Sequence, residues 1–269
     1  MALNQHSLDE ICAALCYAFG IEPPEHAAPA HPEFLEYIKS AFGGRKPDRI
    51  VMYNPDAVAQ WIYEKYLWFM REVDATCELK LPLQGVMPSV TPVSFGTLYT
   101  GAQPSVHGIQ KYEKPVIRIE TIFDALIRQG KKPVIVCDPK CSIGKIFLER
   151  EMDYFHMPSI DEINLKAKEL LMADEYDFYV IYNGNYDSIM HKFGPESPEA
   201  LAELRSNARA FNEITHLIQN RWQHHDTLLG FAMDHGCHEI DGSCGSHGLD
   251  MPEDLNITHF YQAYPKAEA

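Results

Sequence analysis

Residues 177–191 read Asp177-Phe178-Tyr179-Val180-Ile181-Tyr182-Asn183-Gly184-Asn185-Tyr186-Asp187-Ser188-Ile189-Met190-His191. A short apolar run breaks into Asn-Gly-Asn and then places a carboxylate and an imidazole four residues apart. The run reads as a strand from Asp177 to Tyr182, followed by a turn and a helical segment. Two other stretches share the pattern: Arg49 to Tyr53 runs into Asn54-Pro55-Asp56, and Thr227 to Met233 runs directly into Asp234-His235-Gly236. Lys132 to Cys137 is a fourth strand candidate. Helical stretches lie between these runs, at Ala57 to Glu72, Glu120 to Gln129, Ile160 to Leu171 and Pro198 to Gln223. Such alternation predicts an α/β fold, a three-layer αβα sandwich with a mostly parallel central sheet. Ligands of such sheets bind beyond the carboxyl ends of the strands. Here three strand ends point carboxylates and imidazoles at one edge.

The bulk properties agree with one large domain. The chain has 269 residues, 46% hydrophobic and 23% charged, which excludes disorder, collagen-like repeats and coiled coils. Its formal charge of −15 disfavours a surface built for polymeric nucleic acid or acidic lipid. No run of 18 apolar residues occurs, and the opening Met1-Ala2-Leu3-Asn4-Gln5-His6 lacks a basic region followed by an apolar one, so a soluble cytoplasmic protein with no membrane partner is expected. Seven scattered cysteines fit a reducing compartment. Residues 1–48 read as a helical appendage, opened by a capping box at Ser7-Leu8-Asp9-Glu10 and stopped at Gly20, and residues 49–269 as the catalytic domain.

Asp187 and His191 fall on one face of a helical turn, within reach of one cation. Asp234 and His235 leave a strand end in different directions, which suits two neighbouring ions, and Gly236 permits close backbone approach. His247, in Cys244-Gly245-Ser246-His247-Gly248, sits in a side-chain-poor loop, where an imidazole is better explained as a ligand than as core. Between Met87 and Ile109, hydroxyls and prolines suggest a loop entering a helix whose N-terminus can hold an anion. Blander readings apply elsewhere: His224-His225 as a solvated helix end, His107 as a structural histidine, and Cys12/Cys16 as buried thiols one turn apart.

The stretch Pro88-Ser89-Val90-Thr91, followed by Thr100-Gly101 and Pro104-Ser105-Val106-His107-Gly108-Ile109, resembles the nucleophile segment of the alkaline phosphatase superfamily, in particular its nucleotide pyrophosphatase/phosphodiesterase (type I phosphodiesterase) branch. Asp187-Ser188-Ile189-Met190-His191-Lys192-Phe193-Gly194-Pro195 is similar to that branch's Asp-x-x-x-His-x-x-Gly-Pro segment. Asp234-His235-Gly236 and Gly245-Ser246-His247-Gly248 complete four segments in the family's order. The resemblance implies an alkaline phosphatase-like fold and two divalent ions, zinc first and manganese second. It puts Asp56, Thr91, Asp234 and His235 at one ion and Asp187, His191 and His247 at the other, with Thr91 as nucleophile. Two departures stand out. Asn54-Pro55-Asp56-Ala57 replaces the usual Asp-Gly pair, and Ser94 stands where the branch carries an Asn that helps hold the phosphoryl oxygen.

The implied activity is hydrolysis of a small phosphorylated substrate, a nucleotide or metabolite ester, through a phosphothreonine. Three alternatives compete. A phosphomutase of the same superfamily returns the phosphoryl group to its substrate, and Phe147 to Asp174 is the stretch that could form its cap. A compact zinc module could use Cys237, His238, Cys244 and His247. Cys141, next to Lys140, could serve as a thiol nucleophile.

Overall fold

A computed structural model describes residues 2–241 and 244–267. Its nine strands are β1 (Arg49–Pro55), β2 (Leu79–Gln84), β3 (Pro133–Cys137), β4 (Asp153–His156), β5 (Phe178–Asn183), β6 (Thr227–Phe231), β7 (His238–Ile240), β8 (Cys244–Ser246) and β9 (Asn256–Tyr264). Seven of them form one sheet in the order β2-β9-β6-β1-β5-β3-β4, while β7 and β8 form a separate antiparallel hairpin. The run from β6 to β4 is parallel, and β9 pairs antiparallel with both β6 and β2. This is the mostly parallel central sheet that the alternation of strands and helices predicts, and it agrees with the alkaline phosphatase-like fold that the resemblance implies.

Burial explains which strands are legible in sequence. β3, β5 and β6 are buried throughout and β1 everywhere but Arg49, as a parallel sheet covered on both faces requires. At the edges β2 alternates buried and exposed residues and carries Pro82, and β4 has no fully buried residue. Those edge strands, and the antiparallel β9, are absent from the sequence reading. β4 and the Ile160–Ala173 helix occupy most of the stretch from Phe147 to Asp174 and belong to the main sheet and its cover, so the stretch forms no separate cap domain, although Pro158 to Asp161 border the cavity at the carboxyl ends of the strands.

Two local expectations are corrected. Ala57 to Glu72 is not one helix: Gln60–Lys65 and a 3₁₀ turn, Leu67–Met70, lead into Arg71–Thr76. Its aromatic residues are tied to separate partners, Trp61 Nε1 donating to Cys237 O and Tyr66 Oη to Glu196, which a straight rod would not reach together. The first helix, Glu10–Phe19, has Asp9 rather than Ser7 at its N-cap, because Ser7 and Leu8 are engaged along Gln84 at the end of β2. Leu8, Ile11, Leu15, Phe34, Ile38 and Phe42 from the N-terminal segment join the same buried cluster as the sheet.

Candidate active site

Three adjacent parallel strands, β5, β1 and β6, end at the site. Asp56 follows β1, with its N–H donating to Asn183 O at the end of β5, 3.0 Å away. Ala57 N–H donates to Asp234 Oδ1 at 3.1 Å, which locks the residues after β1 to those after β6. Ala57 has φ +61, the left-handed region that a Cβ disfavours. That conformation supplies a physical reason for glycine in the usual Asp-Gly pair. The ten-residue Thr91–Thr100 helix is buried along its whole length, and Thr91 opens it.

These segments bring together all seven predicted ligands. Thr91 Oγ1 lies 3.4 Å from both Asp56 Oδ2 and His235 Nε2. His235 Nε2 is 3.4 Å from Asp56 Oδ1 and 3.3 Å from Asp234 Oδ2. In the second group His191 Nε2 is 3.2 Å from both Asp187 Oδ1 and His247 Nε2, and His247 Nε2 is 3.4 Å from Asp187 Oδ1. The two groups meet through tilted imidazoles, with the His235 and His247 centroids 4.1 Å apart.

The histidines share one signature. His235 Nδ1 faces Gly236 O at 2.9 Å, His191 Nδ1 faces Gly245 O at 3.0 Å and His247 Nδ1 faces Ser89 O at 2.9 Å. A carbonyl only accepts, so each Nδ1 carries a proton and each ring turns Nε2, the nitrogen whose lone pair a cation would take, toward the cluster. The carboxylates match: Asp56 Oδ1, Asp187 Oδ1 and Asp234 Oδ2 are buried with no hydrogen-bond partner. Buried acceptors left unpaired among lone pairs are costly, and their convergence fits a pair of divalent cations.

In the ion-free protein the clustered groups perturb one another's titration. Burial, then the Asp234 and Asp187 charges, push Asp56 well above the usual carboxylate range. Burial chiefly, with Asp187 adding, raises Asp234 to about 7. His235 is held down at about 3 by burial and by His247, so it stays neutral. Asp187 is lowered despite its burial because His191 and His247 face it, and the same carboxylate raises His191 to about 9. None of these three carboxylates is ion-paired with a Lys or Arg, so histidines are their only cationic partners among the described residues.

Two glycines make the geometry possible by close approach. A Cβ on Gly245 would run into the Met190 sulfur, so only glycine lets its carbonyl reach His191. A Cβ on Gly236 would strike the Glu253 carbonyl. The segment before His247 is strand β8, paired with β7, rather than the side-chain-poor loop the sequence suggests; contact with the Asn185–Phe193 helix holds it.

The remaining candidates separate. Ser94 is fully buried, its Oγ has no partner, and it does not line the cavity at the site. Cys237, His238 and Cys244 do not gather with His247: Tyr186 Oη is next to Cys237 Sγ, and His238 Nδ1 is 2.7 Å from Asp254. His107 is structural, with Nε2 3.1 Å from Thr97 Oγ1 and Nδ1 accepting from Ile109 N–H. Cys141 borders the cavity, where its Sγ accepts from Gly144 N–H. The sequence reading missed Tyr182, whose hydroxyl donates to Asp56 Oδ2 from the end of β5. An aromatic strand residue gives no signal for that role. The cavity itself holds about 640 Å³, runs from Asp56, Thr91 and Asp187 past Tyr112, Lys114 and Ser142, and opens to solvent.

The pattern of the type I phosphodiesterase/nucleotide pyrophosphatase family matches residues 117–259, more than half of the chain. The chain belongs to that family. Its members are hydrolases of phosphate ester bonds within the alkaline phosphatase superfamily. Among solved structures it is similar to phosphonoacetate hydrolase from Sinorhizobium meliloti 1021 in complex with phosphonoformate, at 18% identity and a TM-score of 0.55 over 76% of this chain and 61% of that one. The same enzyme in complex with phosphonoacetate matches at 17% identity and 0.54, over 75% and 61%. At this identity the likeness establishes the fold, and the chain spans about three fifths of that enzyme's length. No curated protein sequence matches the chain significantly. No helix among the described residues is long and apolar enough to cross a membrane.

Proposed function

We propose that this chain hydrolyses phosphate esters of small molecules, nucleotides or phosphorylated metabolites, with Thr91 as nucleophile beside two divalent ions. The carrying observation is the convergence of three Nε2 lone pairs and three unpaired carboxylate oxygens beside the Thr91 hydroxyl. Asp56, Thr91, Asp234 and His235 would hold one ion and Asp187, His191 and His247 the other, all within residues 49–269, the unit read as catalytic. Mixed carboxylate and imidazole ligation without thiolate suits zinc, with manganese second. Bound there, the ions supply the positive charge that lowers the pKa of the hydroxyl and attracts an anionic substrate to a chain of net charge −15.

Thr91 Oγ1 attacks phosphorus, and the leaving oxygen departs into the open cavity. Water from the same cavity then attacks the phosphothreonine and restores the hydroxyl. In the first turn of the helix Pro92 has no N–H, and the Val93 and Ser94 N–H groups both donate to Val90 O. The Thr91 N–H is therefore the backbone donor to a phosphoryl oxygen, and Ser94 packs behind it. Tyr182 holds Asp56 in place. Hydrolysis is favoured over phosphoryl return because residues 147–174 build the sheet and its cover, not a lid that would keep water from the intermediate. Five buried cysteines among seven free ones accord with a reducing cytoplasm.

The test is turnover of bis(4-nitrophenyl) phosphate and 4-nitrophenyl phosphate by the metal-stripped chain with zinc or manganese restored, alongside acid-quench trapping of phosphothreonine. Metal-dependent turnover with a phosphoryl group recovered on Thr91 supports the reading. Turnover unchanged in Thr91→Ala at full metal content overturns it.

A further inference from the structure

The edge of the sheet opposite the active site carries a second assembly of histidines and carboxylates, at the amino ends of the same three strands. Asp48 precedes β1, Asp174 precedes β5, and His224 and His225 precede β6. The sequence reads the histidine pair as a solvated helix end, yet His225 is only 8% exposed. We infer that Asp174, His224 and His225 form a third divalent cation site, one that takes zinc and fastens the entry points of β1, β5 and β6.

The argument rests on the tautomer criterion that the active-site histidines meet. His225 Nδ1 lies 2.9 Å from Asp48 Oδ2, an atom that only accepts, so Nδ1 carries a proton and Nε2 is the nitrogen that faces inward. That Nε2 is 2.7 Å from Asp174 Oδ2, and His224 Nε2 is 3.5 Å from the same oxygen; Asp174 also only accepts, so without an ion a second ring proton bridges His225 to it, and a bound cation would take that proton's place. The three ligand atoms lie within 4.8 Å of one another. Arg49 Nε donates to Asp174 Oδ1 at 2.9 Å, which leaves Oδ2 to the two imidazoles. Two imidazoles and one carboxylate, with further positions open to water, form a zinc-type donor set. His224 is exposed and Asp174 borders an open cavity of about 870 Å³, so an ion has a way in.

The local charge favours a cation: Asp48, Asp174 and Asp177 face Arg49 and Lys131, a surplus of one negative charge. The third grouping of this kind, His6, Glu10 and His31, fails the criterion. His31 Nδ1 accepts from Phe34 N–H as a helix cap, so its proton sits on Nε2, the nitrogen a metal would need.

The experiment uses the full chain, metal-stripped, in two backgrounds. In Asp234→Asn/His247→Ala, which cripples both ions of the active site, calorimetric zinc titration is expected to show one remaining equivalent, and zinc to raise the melting temperature. Adding His224→Ala, a substitution of an exposed side chain, is expected to weaken that equivalent at least tenfold and to cancel the thermal shift. Asp48→Asn, which keeps all three ligands, is expected to weaken it about tenfold. In the otherwise wild-type chain His224→Ala leaves phosphodiesterase turnover unchanged and lowers bound zinc by one equivalent. No zinc binding in the crippled background, or binding equally tight with and without His224, overturns the inference. Because the site is read in that background, failure of the two-ion active-site reading leaves the result interpretable.

Discussion

The two ends of β1, β5 and β6 carry the same residue types and solve opposite electrostatic problems. At the carboxyl ends, Asp56, Asp187 and Asp234 crowd three histidines with no ion-paired Lys or Arg, and one oxygen of each carboxylate is left unpaired. At the amino ends, the carboxylates have cations of their own: Arg49 holds Asp174 and Asp177, and Arg45 grips Asp226 through two bonds of 2.9 and 2.8 Å. On the reading proposed above, the first end is neutralised by ions. The second is nearly neutral without them, so an ion there adds stability and not chemistry. The charge partner, more than the ligand types, separates a catalytic cluster from a structural one.

Several substitutions would break or sharpen this contrast. The largest effect belongs to the carboxyl end: Thr91→Ala and Asp187→Asn should each lower turnover of bis(4-nitrophenyl) phosphate about a thousandfold or more. Thr91→Ala should retain its metal, and Asp187→Asn should lose one equivalent, as measured by elemental analysis after dialysis. Comparable turnover in both variants and the parent would dissolve the distinction between the two ends.

Ion removal comes next. With free zinc at about 100 times its dissociation constant, each ion should stabilise the folded chain by about 2.7 kcal/mol, read from urea unfolding with zinc or with chelator. Identical midpoints would show that the active-site carboxylates tolerate one another unaided.

Gly245→Ala tests the geometry behind His191. The new methyl meets Met190, so about 1–3 kcal/mol of stability should be lost and the ion at Asp187 should bind more weakly, while that at Asp234 is spared. A variant with both ions intact and parental stability would show that the carbonyl position does not matter.

At the amino end, Asp226→Asn removes the charge from a carboxylate paired with a half-exposed arginine. The expected cost is about 1 kcal/mol in chemical unfolding, with turnover untouched, since the pair is partly screened by solvent. A collapse of turnover would mean that the two ends are coupled.

The smallest effect is expected from Ala57→Gly. Relief of the left-handed backbone and the greater freedom of the unfolded chain oppose each other, so stability should change by less than about 1 kcal/mol. A large loss would show that the Ala57 methyl, fully buried, contributes packing that outweighs its strain.

The sequence by itself determined the interior of this protein and the composition of its site. β1, β3, β5 and β6 announce themselves because a strand covered on both faces must be apolar along its whole length. That Asp56, Thr91, Asp187, His191, Asp234, His235 and His247 meet was legible because carboxylates and imidazoles follow three strand ends at short spacings and the segments resemble a known family in their order along the chain. Tertiary structure alone decided the rest. β2, β4 and β9 lie toward the sheet's edges, where one-sided burial or antiparallel pairing weakens the pattern. Tyr182 meets Asp56 across 126 residues, and His225 meets Asp48 across 177. Which nitrogen of each imidazole faces the ligands depends on a carbonyl or carboxylate brought from elsewhere in the chain in every case but His235, and a sequence carries no local trace of a partner supplied by another strand.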